Sequence, residues 1–512
     1  MVNSILKLCA EKKILLDKEV FGMLSDLDEG VALEVVGILE EVGGGIVTRK
    51  VFDEHPDKFG KFFGVVENVK GEGVKLLSAS EFKSGRIGVN DFVRHFRARF
   101  EAIKGILEKK DLDNLSSLRR VGVNGGVYSI IAMVTSKRIT KNKNLLIDVE
   151  DLTGRSIVLV NRDNKDLFKL ANELLLDDIV AFRVSGSSKM LFVNGIVFPE
   201  VSLEKERCSD FDEYVAFSGD FHVGSKMFLE KNLLKFVDWI NGEVGDARQK
   251  VIARKIKYLF LTGDNIDGVS HYPGQEKFLN IKTCREQYQK VEEILRKIRG
   301  DVQIVICPGQ HDAVWVGEPQ GVISEKWAPG LHRMENVHLV PNPALVEIDG
   351  GFRILMYHGA SINHFINEIP KLRVAGSGSS VAGGNHGKPT RVVKEMLKRG
   401  HLAPTHGLMD YVPSGDKDAM VIDTVPDIIA TGDQHRAEVD VYNNILLVAS
   451  SCWQSITPFE EKIGNVPEPC KVPLFNLKTR EIKIVDFSDD EIRWEEGDDL
   501  ICKLGVKDEN SC

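Results

Sequence analysis

The stretch YLFLTGDNID (258–267) decides the fold of this chain. Its four apolar residues form a short run that ends in a glycine turn, which fits a fully buried strand. Just past the run stand Asp264, Asn265 and Asp267. The same arrangement recurs four times. Tyr214 to Phe217 leads to Asp220 and His222, and Val302 to Ile306 leads to Gln310, His311 and Asp312. Ile354 to Tyr357 leads to His358, and Ile428 to Ala430 leads to Asp433, Gln434 and His435. Each time, a buried-type strand ends and an acid, an amide or a histidine follows. In open α/β sheets that edge is where ligands bind. The glycines let the backbone turn sharply there.

These residue types suit a mixed nitrogen and oxygen metal site. Aspartate supplies anionic oxygen and neutral histidine supplies imidazole nitrogen. A shared carboxylate brings two metals about 3.5–4 Å apart onto one phosphate. Each piece alone is weak, because a Gly-Asp after a strand is usually only a turn. The ordered set of five is specific.

The pattern Asp-x-His, Gly-Asp-x-x-Asp, Gly-Gln-His-Asp, His-Gly, Gly-Asp-x-His resembles that of the calcineurin-like metallophosphoesterases. Within them it is similar to the branch formed by small subunits of archaeal family D DNA polymerases. The stretches that carry this are GDFHVGSKMFLEKN (219–232), TGDNIDGVSHYPGQE (262–276), PGQHDAVWVGEPQG (308–321), YHGASI (357–362), RGHLAPTHG (399–407), VPDIIATGDQH (425–435) and SSCWQSITPFEEKIGNVPEPCKVPLFNL (450–477). The resemblance spans roughly residues 120–490 and fits residues 1–90 only loosely.

That resemblance implies a 3′–5′ exonuclease on DNA that uses two divalent metal ions, manganese first and magnesium as the alternative. It implies a heterodimer with a large polymerising subunit and contact with DNA at 3′ ends or single strands. By motif, Asp220, His222 and His435 hold the first metal, Asp264 bridges, and Gln310, His358 and Asp433 hold the second. His311 stands beside the scissile phosphate, and Asp312 orients its imidazole. Two positions depart from the family pattern: Gln310 replaces an asparagine, and Asp433 replaces a histidine. Both fall on the second metal, which predicts a weakened or retuned site there. A catalytically weakened scaffold subunit is the alternative, and a stand-alone phosphoesterase is a more distant one.

Outward from this core, residues 206–512 alternate strand and helix patterns and read as the metallophosphoesterase domain. Residues 120–205 are β-rich, with one helical segment at Lys165–Leu176, and fit an OB-fold barrel. Tyr128, Phe182 and Phe192 are its candidate stacking aromatics. Residues 66–119 read as a linker carrying a basic amphipathic helix, Asp91–Lys110. Its apolar face is Phe92, Phe96, Phe100, Ile103 and Leu107, and its outer surface includes Arg94, Arg97 and Arg99. Residues 1–65 read as a small helical domain. The expected fold class is therefore α/β: a calcineurin-like sandwich preceded by a barrel and a small helical N-terminal region.

Other motifs read as bystanders. Gly384-Asn385-His386-Gly387 follows a Ser/Gly run instead of a strand. His401 and His406 suit a surface loop, Trp453 packs a sheet, and Asp489–Asp499 is a solvated acidic run.

Sixty-seven Lys and Arg against 76 Asp and Glu leave a net charge of −9, which excludes a globally basic nucleic-acid coat. Lys226, Lys231, Lys371, Arg373 and Lys388 are candidate local contacts to a polyanion. No run of about 18 apolar residues suggests a membrane span. The N-terminus does not read as a signal peptide. The eight cysteines form no CxxC pair and suit small core positions in a reducing cytoplasm.

Overall fold

The structure, a computed structural model, describes residues 2–17, 20–21, 24, 29–41, 45–47, 51, 73–78, 87–373, 388–407, 409–413, 415–463 and 465–495. The Gly384–Gly387 motif lies outside them. The chain divides into two units, residues 1–70 and 71–512. In the first, helices Val2–Glu11 and Glu29–Glu41 accompany two short parallel strands, β1 (Ile14–Leu16) and β2 (Gly45–Val47). Cys9, Ile14, Val20, Leu24, Val35, Val36 and Leu39 form its core.

The second unit begins with a departure from expectation. Val74–Ser78 lies in the stretch read as a linker, yet it is a strand, β3. It pairs antiparallel with β13 (Ala344–Ile348) and so edges a sheet of the main domain. Five residues of modest apolarity carry too little periodicity to announce an edge strand; the pairing partner, 270 positions on, supplies what the local pattern lacks.

The helix Val89–Leu107 follows, and Asp91 caps it by accepting from the Gly88 N–H at 2.8 Å. Phe100, Ile103 and Leu107 are buried, as the periodicity predicts. Arg99 was expected on the outer surface, but it is buried. Its Nε donates to Asp418 at 2.5 Å and its Nη1 to the Pro404 carbonyl at 2.6 Å. His401 joins the same carboxylate at 2.9 Å, so it too is a buried structural residue and not part of a surface loop. Helical spacing identifies a buried face but cannot show that a cation on it has a partner more than 300 residues away.

A closed barrel comes next: β4 (Gly126–Ile139), β5 (Leu145–Asp151), β6 (Gly154–Val160), β7 (Ile179–Ser187) and β8 (Met190–Val197), in the order β4-β5-β6-β8-β7. The helix Lys165–Asn172 spans the gap between β6 and β7 and is shorter than the sequence suggests. Phe182 is buried in the barrel core and is unavailable for stacking, whereas Phe192 is half exposed. Arg399 fixes the barrel to the main domain through Asp178 at 3.2 Å and the Glu173 carbonyl at 2.6 Å.

The remainder forms four layers. The first sheet runs β12-β11-β10-β9-β18-β19-β20, with β9 (Tyr214–Ser218), β10 (Ile256–Leu261), β11 (Gln303–Ile306) and β12 (Val337–Leu339) parallel. β18 (Lys471–Asn476), β19 (Ile482–Asp486) and β20 (Arg493–Glu495) continue it antiparallel. The second sheet runs β16-β17-β15-β14-β13-β3, with β14 (Phe352–Tyr357), β15 (Ile428–Thr431) and β17 (Ile445–Ala449) parallel, and β16 (Glu438–Tyr442) antiparallel at its edge. Helices Glu230–Ile240, Ala247–Arg254 and Cys284–Leu295 cover the outer face of the first sheet. Ile362–Glu368 and Pro389–Arg399 cover the second. The sheets face one another, with Phe352 against Phe475 at 6.0 Å. Strands buried on both faces must be apolar throughout, which is why β9, β10 and β15 read as unbroken runs. Trp453 packs beneath this layer on Phe236, as expected of a sheet residue. Cys9, Cys307, Cys452 and Cys470 are buried and free, whereas Cys208 is disulfide-bonded and departs from the reading of all cysteines as simple core residues.

Removing Arg99 would strand the Asp418 carboxylate in the interior. We expect Arg99→Ala to cost about 3–5 kcal/mol, read as a fall in denaturation midpoint of the full chain. A change below about 1 kcal/mol would contradict the pairing.

Candidate metal centre

The strand tips bring seven expected ligands and His311 into one volume. Two groups share Asp220: Asp220 with His222 and His435, and Asp220 with Asp264 and His358. A third joins His222, Asp264 and His311. All ligand atoms within a group lie inside 4.8 Å of one another. His358 Nε2 is 3.4 Å from Asp264 and 3.9 Å from Asp433, and Gln310 Oε1 lies 3.1 Å from it.

The backbone is bent to make this possible. Asp220, His222, Asp264, Asp433 and His435 all hold φ between 48° and 66°, the left-handed region that non-glycine residues avoid. Such positions cost about 1–3 kcal/mol each and cluster at functional sites. Two glycines are also obligatory. A Cβ on Gly309 would sit 2.2 Å from an Asp264 oxygen, and one on Gly432 2.6 Å from Asp220.

Each imidazole is held from behind. His358 Nδ1 is 2.8 Å from the Thr262 carbonyl, and His435 Nδ1 is 2.8 Å from Glu460. His222 Nδ1 stands 3.3 Å from Asp267 without hydrogen-bonding to it. All three therefore turn Nε2 inward. His311 donates its amide to Asp264 at 2.8 Å, and its Nδ1 is 2.8 Å from the Asp267 carbonyl.

Asp312 does not orient the His311 ring. Its Oδ2 accepts from the Gly309 and Asn265 amides and the Asn265 side chain, and its Oδ1 from Tyr288 at 2.8 Å. It braces the loop that carries Gln310 and His311. Sequence reasoning places the acid next to the histidine but cannot show that its side chain turns the other way. Tyr288 and Glu460 are supporting residues it missed, and Asp267 it placed at the strand tip without a supporting role. Glu460 had a signal, the Thr457-x-x-Glu460 spacing of a helix cap; Tyr288 had none.

The electrostatics call for positive charge. Asp220 and Asp264 are buried and Asp433 is partly buried, and among the described residues their ion-pair partners are histidines alone. Burial opposes protonation of His358, but Asp264, Asp220 and Asp433 outweigh it and push the imidazole well above its ordinary range. Burial likewise opposes protonation of His435, and Cys452, Asp220 and Glu460 outweigh it. Burial and its acidic neighbours Asp220 and Asp264 push Asp433 up. Burial, with the Asp264 charge, raises Asp312 to about 6. Oxygen and imidazole donors facing a buried, negatively charged point are chemically suited to divalent cations. Of the expected basic contacts, Lys371 is paired to Glu173 and Glu395, and Lys388 to Glu438, so neither is a free phosphate anchor.

Two facing α/β sheets thus carry a cluster of acids and imidazoles at their strand tips, a fold and site that the comparisons with known proteins place in one family. A family model for the B-subunit of DNA polymerase alpha/epsilon matches residues 215–440. The DNA polymerase II small subunit of Methanothermobacter thermautotrophicus is 32% identical over 95% of this chain and 100% of its own length. That of Archaeoglobus fulgidus is 33% identical over 80% of each, and that of Pyrococcus furiosus 32% identical over 83% of this chain and 68% of its own. The chain belongs to the family of archaeal DNA polymerase II small subunits. Among solved structures, Vps29 from Cryptosporidium parvum aligns over 56% of this chain and 97% of its own at 15% identity, with a TM-score of 0.29, a likeness too remote to weigh.

Behind His358 lies a buried acid. Glu318 accepts from the Tyr357 hydroxyl at 2.8 Å and from Asn342 at 3.1 Å, and Asn342 in turn accepts the His358 amide at 2.9 Å. Burial raises Glu318 from 4.5 to about 7. The folded state then holds a proton that the unfolded state has released between those values. Stability attributable to Glu318 should rise as pH falls through about 7 and level off below about 4.5. Between pH 8 and pH 5 the gain should be roughly 2–3 kcal/mol. Glu318→Gln should flatten that slope in denaturation curves; an unchanged slope would contradict the assignment.

Proposed function

We propose that this chain is the proofreading subunit of a two-subunit DNA polymerase, hydrolysing phosphodiester bonds 3′ to 5′ on DNA at a dinuclear centre. The observation that carries this is the pair of ligand groups meeting at Asp220, with Asp264 within reach of both His222 and His358. Asp220, His222 and His435 would hold one ion and Gln310, His358 and Asp433 the other, with Asp264 between. When bound, two such ions supply an activated water and charge neutralisation at the phosphate. The protein's own residues do the rest. The Asp267 carbonyl accepts from His311 Nδ1–H and so would fix the ring with Nε2 turned toward the phosphoryl group or the departing 3′ oxygen. Asp312 and Tyr288 keep the His311 loop in place. Read as an OB fold, the five-stranded barrel with its helix between β6 and β7 would add a module of a kind that binds single strands. A large polymerising subunit is the partner the family implies.

A weakened second ion site is the specific rival within this reading. Gln310 Oε1 engages the very Nε2 that His358 would offer a metal, and Gln434 donates to Asp433 Oδ2 at 2.6 Å. In that case the chain keeps one ion well and acts chiefly as a scaffold for its partner.

Purified chain, or its complex with the large subunit, should release nucleotides from a mismatched 3′ end with manganese. Asp264→Ala should abolish release, and His311→Ala should lower it by about 10²–10⁴-fold. Undiminished release from either variant rules out this site. Gln310→Asn combined with Asp433→His should raise the rate severalfold if the second site is merely retuned, and leave it flat if the chain is a scaffold.

A further inference from the structure

Glu460 sits on the six-residue helix Pro458–Ile463, remote in sequence from every strand tip, and is 6% exposed. Its two oxygens have separate tasks. Oε2 accepts from the Thr457 amide and hydroxyl, both at 2.9 Å, while the Glu460 amide donates back to Thr457 Oγ1 at 3.2 Å. That is a complete reciprocal helix cap, and it needs one carboxylate oxygen. Oε1 is left over. It points at His435 Nδ1, 2.8 Å away, and also accepts from Asn465 at 3.2 Å. The Glu468 amide pins the His435 carbonyl at 2.9 Å, so the ring is held from both its backbone and its far nitrogen.

The consequence is a fixed tautomer. Nδ1–H donates to the carboxylate, so the inward Nε2 carries the lone pair. That Nε2 lies 3.6 Å from Asp220 and 3.2 Å from His222 Nε2. Two ring nitrogens so close need something between them, a hydrogen donated by one to the other or a metal ion. His222 also has a carboxylate near its Nδ1, Asp267 at 3.3 Å though without a hydrogen bond, whereas His358 is backed by the neutral Thr262 carbonyl. A carboxylate behind a ligating imidazole raises its basicity and fixes its aim. The two halves of the centre therefore differ in the strength of their nitrogen donors, quite apart from Gln310 and Asp433.

We infer that Glu460 is a positioning residue for the first metal: it holds His435 with Nε2 inward and makes the Asp220, His222 and His435 side of the centre the tighter of two divalent-cation sites. This rests on the dinuclear reading above, and it assigns a role to a residue outside the ligand set.

The test is calorimetric titration of the full chain with manganese chloride, alongside the paramagnetic resonance signal of bound manganese. Wild type should show two unequal sites. Glu460→Gln keeps an oxygen for the Thr457 cap but removes the charge behind His435. It should weaken the tighter site by about 10–100-fold and leave the weaker one unchanged. Glu460→Ala should do at least as much to the same site. If both variants bind manganese as wild type does, or if both sites weaken alike, Glu460 serves only the helix cap and the inference fails alone. If the wild-type chain binds no manganese, the dinuclear reading fails and takes this inference with it.

Discussion

Buried carboxylate charge is the constraint around which the rest of this fold is arranged. Asp220, Asp264 and Asp433 are drawn together at the ends of β9, β10 and β15 with histidines as their ion-pair partners. Ionised groups taken out of water are costly unless compensated. Here the compensation is partly imidazole and, by the chemistry of the donors, partly a cation to be bound. The surrounding structure bears the strain. Five left-handed residues in and beside the cluster, and glycines at positions where a methyl group would strike a carboxylate, persist only because two packed sheets and their covering helices hold the strand ends rigidly in place.

A gradient runs across the cluster. On one side, His222 and His435 each have a carboxylate behind them. On the other, His358 leans on a peptide carbonyl, and its partners are an amide one methylene longer than the usual one and an acid in place of an imidazole. The two departures in sequence and the difference in support fall on the same side. The dinuclear centre proposed above would then keep one ion firmly and leave the other exchangeable.

Much of this was legible from residues alone, for a physical reason. Strands buried on both faces must be apolar, and the acids just past them break that run abruptly, so β9, β10, β11, β14 and β15 announce both themselves and the polar cluster at their tips. The helix Val89–Leu107 was equally clear from its period. What escaped depended on partners distant in the chain. β3 becomes a strand only because β13 offers it an edge, Arg99 is interior only because Asp418 meets it, and Asp312 turns from His311 because Tyr288 and two amides lie on its other side. Glu460 looked like a helix cap, which it is; its second oxygen was invisible until His435 stood beside it.

The placement of β3 bears on how the molecule is put together. The chain lays down one border of the second sheet, departs to complete the barrel, and only then returns to build the sheets. The barrel is thus topologically an excursion within the two-sheet domain and not a bead threaded ahead of it. A fragment cut at residue 206 would leave β13 with a bare flank of unpaired amides and carbonyls, open to any stray strand. The two-sheet body begins more than a hundred residues earlier than its motifs suggest.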